Sequence, residues 1–283
     1  MVTIMRLGYS TNSIGDCDPR EAIPLLHDLG YRSLAITLDH HTLDPFADDL
    51  AADLSRWRRQ LETVGMSCVV ETGARHLLDP LVKHEPTLVS AAAVGRQRRV
   101  EFLLTAVDIA HELGADCISC WSGIGRDAAP EAVLWDRLLG SIGPVVEHAD
   151  RRGVRLGFEP EPGMFIDTLD RTAALFERLG APATLGVTVD LGHLECMGER
   201  PVAAFLGRWA ARVVNVHVDD MLACRHEHLP PGSGDVDFPA AFAALEAAGY
   251  RGGLHLELPR QSHRWIDTAR QAVRVLGPLL PQT

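Results

Sequence analysis

Short hydrophobic runs alternate with amphipathic stretches along the whole chain. The short runs, rich in Val, Ile and Leu, predict buried strands, whereas apolar residues recurring three and four positions apart predict helices. The predicted strands are residues 6–12, 33–39, 67–72, 116–122, 154–159, 185–190, 213–218 and 253–258. The predicted helices lie near 19–29, 49–64, 96–113, 130–152, 168–179, 199–208, 238–248 and 262–276. This order of elements is typical of an α/β protein.

One turn recurs between a helix and the strand that follows it. A glycine closes the helical pattern and a β-rich run begins soon after, at Gly30, Gly65, Gly114, Gly153, Gly180 and Gly249. Glycine just past a helix adopts the left-handed conformation that turns the chain back. Eight alternations without a change of composition predict one domain over residues 1–283, a single (β/α)8 TIM barrel. An open doubly wound sheet is disfavoured because the first strand-to-helix turn lacks a glycine-rich dinucleotide motif.

Four predicted strands end in residues that bind metal ions. Glu159 ends the fifth strand, Asp190 the sixth, His217 lies near the end of the seventh, and Glu257 near the end of the eighth. In a TIM barrel these ends face one site, so we expect the four side chains to converge on one divalent metal ion. Converging carboxylates repel one another unless a cation compensates them. Three carboxylates and one imidazole favour Mn²⁺, with Mg²⁺, Co²⁺ or Zn²⁺ as alternatives.

Charge and composition exclude several classes of function. The net charge is −11, from 27 Lys and Arg against 38 Asp and Glu, which argues against general nucleic-acid binding. No stretch approaches the roughly 18 apolar residues of a membrane span, and the N-terminus has no signal pattern. We therefore expect a cytoplasmic protein without a membrane partner. The six cysteines are scattered along a chain too long to need disulfide staples.

Motifs from Glu159 onward carry a resemblance to a known family. Besides Glu159 and Glu257, they are Asp190-Leu191-Gly192-His193, His217-Val218-Asp219-Asp220 and Pro231-Gly232-Ser233-Gly234-Asp235-Val236-Asp237-Phe238. Together they resemble the xylose-isomerase-like barrels, which include sugar isomerases and epimerases, inosose dehydratases and endonuclease IV. The resemblance implies Mn²⁺ or a similar ion bound by the four strand-end residues. It also implies Glu159 and Glu257 as an acid/base pair, His193 as a contact to the substrate or to a metal ligand, and a dimer or tetramer.

This chemistry predicts a metal-dependent isomerase or epimerase of a small ketose or related polyhydroxylated ketone. A metal ion at the carbonyl would acidify the neighbouring C–H bond through an enediolate, while one glutamate removes the proton and another returns it. Loss of a β-substituent from the same enediolate would instead make a lyase, either an inosose dehydratase or a cleaver of 3-oxo-glycosides. Less favoured alternatives are a phosphodiesterase, because the fourth strand ends without the histidine of the nuclease pattern, and a non-catalytic barrel subunit.

Further residues near the strand ends are candidates for binding the sugar. They are Glu71, His76, Trp121, His226 and Arg260. Trp121 could stack on a sugar face, with core packing as the equal alternative. His226 could contact a substrate hydroxyl, remain an exposed loop residue, or serve a second metal together with Glu161 or His193. Glu161 lies one step beyond the strand and is expected to support Glu159.

Overall fold

The computed structural model describes residues 5–280, in which eight parallel strands close into a barrel. These strands are β1 Arg6–Ser10, β2 Ser33–Thr37, β3 Ser67–Glu71, β4 Ile118–Cys120, β5 Leu156–Phe158, β6 Leu185–Asp190, β7 Val213–Val218 and β10 Gly253–Leu256. Around the barrel their order is β1, β10, β7, β6, β5, β4, β3, β2. Each predicted strand is present, which confirms the (β/α)8 TIM barrel.

Helices surround this barrel and follow the strands in sequence. Their bounds are α1 Pro19–Asp28, α2 Leu50–Val64, α3 Ala93–Leu113, α4 Glu131–Arg152, α5 Leu169–Arg178, α6 Leu191–Cys196, α7 Val202–Trp209, α8 Phe238–Ala247 and α9 Trp265–Leu276. The six glycines of the recurring turn all have positive φ, from +64° at Gly114 to +102° at Gly30. The recurring glycines therefore end helices as predicted, because a residue with a Cβ is strained at such angles.

Three elements depart from the sequence prediction, namely the two strands of a hairpin and one short helix. Residues 219–237 lie between the seventh predicted strand and the next predicted helix and were therefore expected to be irregular, but they contain an antiparallel hairpin of β8 Asp220–Leu222 and β9 Arg225–Leu229. The short helix α6 begins directly after β6 and was not predicted. The prediction of an irregular segment was wrong here because β9 is polar and partly exposed, so it lacks the hydrophobic run that marks a buried strand.

Side chains from opposite strands meet inside the barrel. A small buried cluster there contains Ala35, Val69, Cys117 and Val214. The pairing of β6 with β7 is irregular, since Val187 pairs with Val213 whereas Thr188 pairs with Asn215. One extra residue of β7, Val214, is thus accommodated as a bulge, which changes the face toward which the following side chains point.

The long connection from β3 to α3 is held by a buried arginine. Arg99 is 2% exposed, and its guanidinium donates to the backbone oxygens of Thr72, His84 and Pro86. Three carbonyl acceptors replace the water that the buried charge has lost. The connection is therefore ordered although it has no regular secondary structure. Among the described helices, none is long and apolar enough to cross a membrane.

Candidate metal centre

Four side chains from four strand ends come together at the carboxyl end of the barrel. One ligand atom from each lies within 4.8 Å of the others, in a group formed by Glu159, Asp190, His217 and Glu257. Glu159 and Glu257 follow β5 and β10 directly, and each backbone N–H pairs with a neighbouring strand, at Cys120 O (2.8 Å) and Val218 O (3.1 Å). These last backbone hydrogen bonds of the sheet thus fix the positions of both carboxylates at the rim of the barrel.

His217 lies at the centre of this group. Its Nδ1 is 3.0 Å from Glu159 Oε1 and 3.0 Å from Glu257 Oε2, while its Nε2 is 2.8 Å from Glu71 Oε1. Burial opposes protonation of the ring, but the carboxylates of Glu159, Glu71 and Glu257 raise the pKa of His217 well above its ordinary value. Burial raises the pKa of Glu159 to about 7, although His217 partly offsets this effect. The centre therefore holds more negative charge than one imidazole neutralises.

Asp190 combines a helix cap with a free oxygen. It is 1% exposed and ends β6, where its Oδ1 accepts a hydrogen bond from the backbone N–H of His193 at 2.9 Å, in the first turn of α6. Its Oδ2 is buried and has no hydrogen-bond partner among the described residues. A buried carboxylate oxygen without a donor is costly, and a divalent cation bound by this oxygen-rich set would satisfy it. The residues present therefore fit a hard or borderline divalent ion.

Three histidines form a second group beside the first. The ligand atoms of His193, His226 and His228 lie within 4.8 Å of one another, and the ring centroids are 4.9–5.6 Å apart. His226 and His228 come from β9, so the unpredicted hairpin delivers two of the three rings. Glu161 joins them, with Oε1 3.5 Å from His226 Nε2 and Oε2 3.9 Å from His193 Nδ1. This group could also hold a metal ion.

Asp219 links the two groups. Its side chain is fully buried, touches the Nδ1 side of the His228 ring, and forms a further convergent set with Asp190 and His228. Burial lowers the pKa of His228, but Asp219 more than offsets this and raises it to about 10. The sequence analysis did not predict the contact between Asp219 and His228. The spacing of His226 and His228 could indicate only that their rings share one face, because residues two apart in a strand do so.

The remaining predicted residues lie in different surroundings. The carboxylate of Glu71 faces the His217 ring, and Arg260 donates weakly to His226 O at 3.5 Å from the turn after β10. Trp121 is 8% exposed, with the Arg99 guanidinium 4.8 Å from its ring centroid and the His84 ring 5.5 Å away. These contacts favour packing over sugar stacking. His76 is exposed on the connection after β3 and belongs to none of the convergent groups of the described residues.

Comparison with known proteins places the chain in a family. Residues 23–279 match the profile of the xylose isomerase-like TIM barrel. The chain belongs to this family. The resemblance read from the motifs is thus confirmed.

Individual relatives are more distant. The 3-dehydroshikimate dehydratase of Pseudomonas putida is 32% identical over 185 residues, which cover 61% of this chain and 28% of that protein's length. The D-allulose 3-epimerase from Methylomonas sp. matches with a TM-score of 0.76 and 19% identity, covering 98% of this chain and 99% of that one. The IolI protein, crystallised with a zinc atom, matches with a TM-score of 0.75 and 15% identity, covering 98% of this chain and 100% of that one. At these identities the two structural matches show the shared fold.

Proposed function

We propose that this protein is a divalent-metal-dependent isomerase or epimerase of a small ketose or another polyhydroxylated ketone. The single observation that carries this proposal is the convergence of four ligand groups at strand ends, namely Glu159, Asp190, His217 and Glu257. Family membership supports it, as does the barrel fold shared with the D-allulose 3-epimerase.

Glu159, Asp190, His217 and Glu257 are proposed to hold the ion. We expect Mn²⁺, because three carboxylates and one imidazole suit an ion between hard and borderline; Mg²⁺, Co²⁺ and Zn²⁺ remain alternatives. When bound, such an ion supplies a Lewis acid that polarises the substrate carbonyl.

The proton transfers are assigned to Glu159 and Glu257. These two carboxylates follow β5 and β10, and both approach Nδ1 of His217 to 3.0 Å. In our proposal one of them removes the proton from the carbon beside the carbonyl, and the other returns a proton from the opposite side. Which glutamate acts first depends on the handedness of the substrate.

The histidine group is proposed to contact the substrate hydroxyls. His193 is 3% exposed and lies between two carboxylates of the metal centre, with Nδ1 3.7 Å from Glu159 Oε1 and Nε2 3.7 Å from Asp190 Oδ2. His226 and Arg260 are more exposed and lie farther out. A small polyhydroxylated ligand is the partner that these imidazole and guanidinium groups suit, because they donate hydrogen bonds to hydroxyl oxygens.

Solvent deuterium incorporation tests this proposal. Pentuloses and hexuloses would be incubated with the Mn²⁺-loaded protein in D₂O and followed by NMR. We expect deuterium at the carbon beside the carbonyl, together with a new stereoisomer or the isomeric aldose. Glu257→Gln should slow this by at least about 10²–10⁴-fold, the usual contribution of a general acid or base, because the change also removes a proposed metal ligand. Glu199→Gln, a change at a buried carboxylate outside the centre, should leave it unchanged. Failure of every ketose to exchange would contradict the isomerase proposal.

A dehydratase is the second candidate function. The observation favouring it is the 32% identity to 3-dehydroshikimate dehydratase over 61% of this chain. The same base would remove the same kind of proton, and a β-hydroxyl would leave as water. Incubation with cyclic 3-hydroxy ketones, including inososes and 3-dehydroshikimate, separates the two candidates. New ultraviolet absorption would favour the dehydratase, from an unsaturated ketone with an inosose or from an aromatic dihydroxybenzoate with 3-dehydroshikimate, whereas a deuterated stereoisomer would favour the epimerase.

A further inference from the structure

A column of polar side chains fills the barrel interior beneath the metal centre. Each member is 9% exposed or less, and the column runs through Ser33, His255, Asn215, Glu71 and His217. Successive atoms are separated by 2.9 Å (Ser33 Oγ to His255 Nε2), 2.9 Å (His255 Nδ1 to Asn215 Oδ1), 3.0 Å (Asn215 Nδ2 to Glu71 Oε1) and 2.8 Å (Glu71 Oε1 to His217 Nε2). The column therefore joins β2, β10, β7 and β3 through the centre of the barrel.

The donors and acceptors along this column can be assigned. The backbone N–H of Val216 donates to Asn215 Oδ1 at 3.0 Å, and an N–H cannot accept, so the amide oxygen must lie on that side. His255 Nδ1 must then carry a proton, because it faces the same oxygen. The amide nitrogen of Asn215 points the other way, where it donates to Glu71 Oε1 at 3.0 Å and also lies 3.1 Å from Nε2 of His217. Glu71 is thereby held in place from below.

Glu71 in turn determines which nitrogen of His217 carries a proton. An ionised carboxylate only accepts hydrogen bonds, so Nε2 of His217, 2.8 Å from Glu71 Oε1, donates to it. Nδ1 also faces carboxylates, with Glu159 Oε1 and Glu257 Oε2 both at 3.0 Å, so both ring nitrogens can carry a proton. An ion bound between Glu159 and Glu257 would take the place of the proton on Nδ1 and leave the proton on Nε2.

Glu71 itself stands apart from the ligand groups. It lies against the Nε2 side of the ring, whereas the proposed ligands lie against the Nδ1 side. Among the described residues, none of the convergent sets of potential ligands includes Glu71. A carboxylate that accepts from the distal nitrogen of a metal-binding histidine fixes the orientation of the ring and raises its basicity.

The barrel is shaped to admit this column. A Cβ atom added at Gly8 or Gly253 would overlap the ring of His255, so both strands need glycine where the imidazole crosses the interior. An ordinary TIM-barrel interior is packed with branched apolar side chains. Here two glycines make room for a buried histidine, and that histidine supports Asn215.

We propose that Glu71 is a positioning residue, which holds His217 with Nε2 protonated and Nδ1 directed at the metal ion. The sequence had placed Glu71 among substrate-binding candidates, and the column assigns it to the metal ligand instead. This inference rests on the proposed function only in that an ion binds at Nδ1 of His217.

Metal affinity measured in matched variants tests the inference. Free Mn²⁺ would be followed by electron paramagnetic resonance with the full-length wild type, Glu71→Gln, Glu71→Met, Asp190→Asn and Glu199→Gln. Glutamine keeps an acceptor oxygen but loses the charge, whereas methionine removes both. We expect weaker binding by about 10–100-fold in Glu71→Met, as for other partners of metal-binding histidines, and a smaller loss in Glu71→Gln. Glu199→Gln, which changes another buried glutamate, should bind as the wild type does.

A spectroscopic measurement separates positioning from simple structural support. In the diamagnetic Zn²⁺-loaded protein, long-range ¹H–¹⁵N correlations should show His217 protonated at Nε2, with this signal shifted in Glu71→Gln. Wild-type affinity in both Glu71 variants, or a His217 protonated at Nδ1, would overturn the inference. A loss of Mn²⁺ affinity in Glu71→Gln as large as that in Asp190→Asn would also overturn the inference, because it would indicate that Glu71 binds the ion directly. If Glu71→Met does not fold, Glu71→Gln still decides between these outcomes. Absence of Mn²⁺ binding in the wild type would refute the proposed function instead.

Discussion

At the scale of residues, proposed metal ligands at the rim of the barrel are supported by side chains that reach across its interior. Glu159, Asp190 and Glu257 each follow a hydrophobic run, so their position at the rim follows from local pattern alone. The contact between Glu71 and His217 joins β3 and β7, which are not neighbours in the sheet. Only the closed barrel brings such strands face to face, and no local pattern encodes their relative register.

Asp220 anchors the loop that follows the hairpin. Its Oδ2 accepts from the backbone N–H groups of Gly232 and Gly234 at 2.9 and 2.8 Å, and its Oδ1 from that of Val236 at 3.1 Å. Asp220→Ala should lower the free energy of unfolding by about 2–3 kcal/mol, because hydrogen bonds to a charged group are stronger than neutral ones. Urea denaturation measures this. Asp235→Ala, at an exposed acid of the same loop, should change it by less than about 0.5 kcal/mol. Equal effects of the two changes would contradict the anchoring role.

Glu199 predicts a pH dependence of stability. It is 8% exposed and accepts from the backbone N–H of Leu169 at 3.0 Å; burial raises its pKa from 4.5 to about 7. The folded state therefore keeps this proton while the unfolded state loses it, so stability falls as pH rises from about 4.5 to about 7. Glu199→Gln should match the wild type near pH 4 and be more stable than it at pH 8. Thermal unfolding at both pH values measures the difference, and an equal difference at the two pH values would refute the prediction.

At the scale of elements, the βα repeats were predictable and the site-building insertions were not. Hydrophobic runs and glycine caps marked the eight strands and most helices, because each buries one face. The six residues of α6 are too few to show a helical period, and β9 exposes its polar side chains. The two elements are nonetheless joined, since the backbone N–H of Cys224 donates to Cys196 O at 3.0 Å. Elements that serve the site rather than the core leave little hydrophobic signal.

Close packing of α6 against β8 gives a further prediction. A Cβ at Gly192 would overlap Asp219 Oδ1 and lie 2.7 Å from Met221 Cγ. Gly192→Ala should therefore lower the free energy of unfolding by about 1–3 kcal/mol, the usual cost of overpacking. Gly207, inside α7, has open space where its Cβ would be, and Gly207→Ala should raise stability by about 0.5–1 kcal/mol. Stability changes of the same sign in the two variants would contradict the packing described.

At the scale of the whole molecule, ligands from separate strands make metal binding and folding interdependent. The proposed ligands come from β5, β6, β7 and β10, and an ion that binds only the folded barrel stabilises it by about 2.7 kcal/mol at a hundred times its dissociation constant. Chelation with EDTA should therefore lower the melting temperature of the wild type. EDTA should have little effect on the melting temperature of Asp190→Asn, which lacks one of the proposed ligands. A wild-type melting temperature insensitive to both EDTA and added Mn²⁺ would contradict this coupling.

The most direct measurement is the Mn²⁺ stoichiometry of the metal-free protein, determined by calorimetric titration of the wild type, Asp190→Asn, Glu257→Gln and Glu199→Gln. We expect one Mn²⁺ per chain in the wild type and in Glu199→Gln, because one group of strand-end ligands forms the proposed centre. Binding should be lost or greatly weakened in Asp190→Asn and Glu257→Gln. Undiminished binding in these two variants would contradict the metal centre on which the proposed function depends.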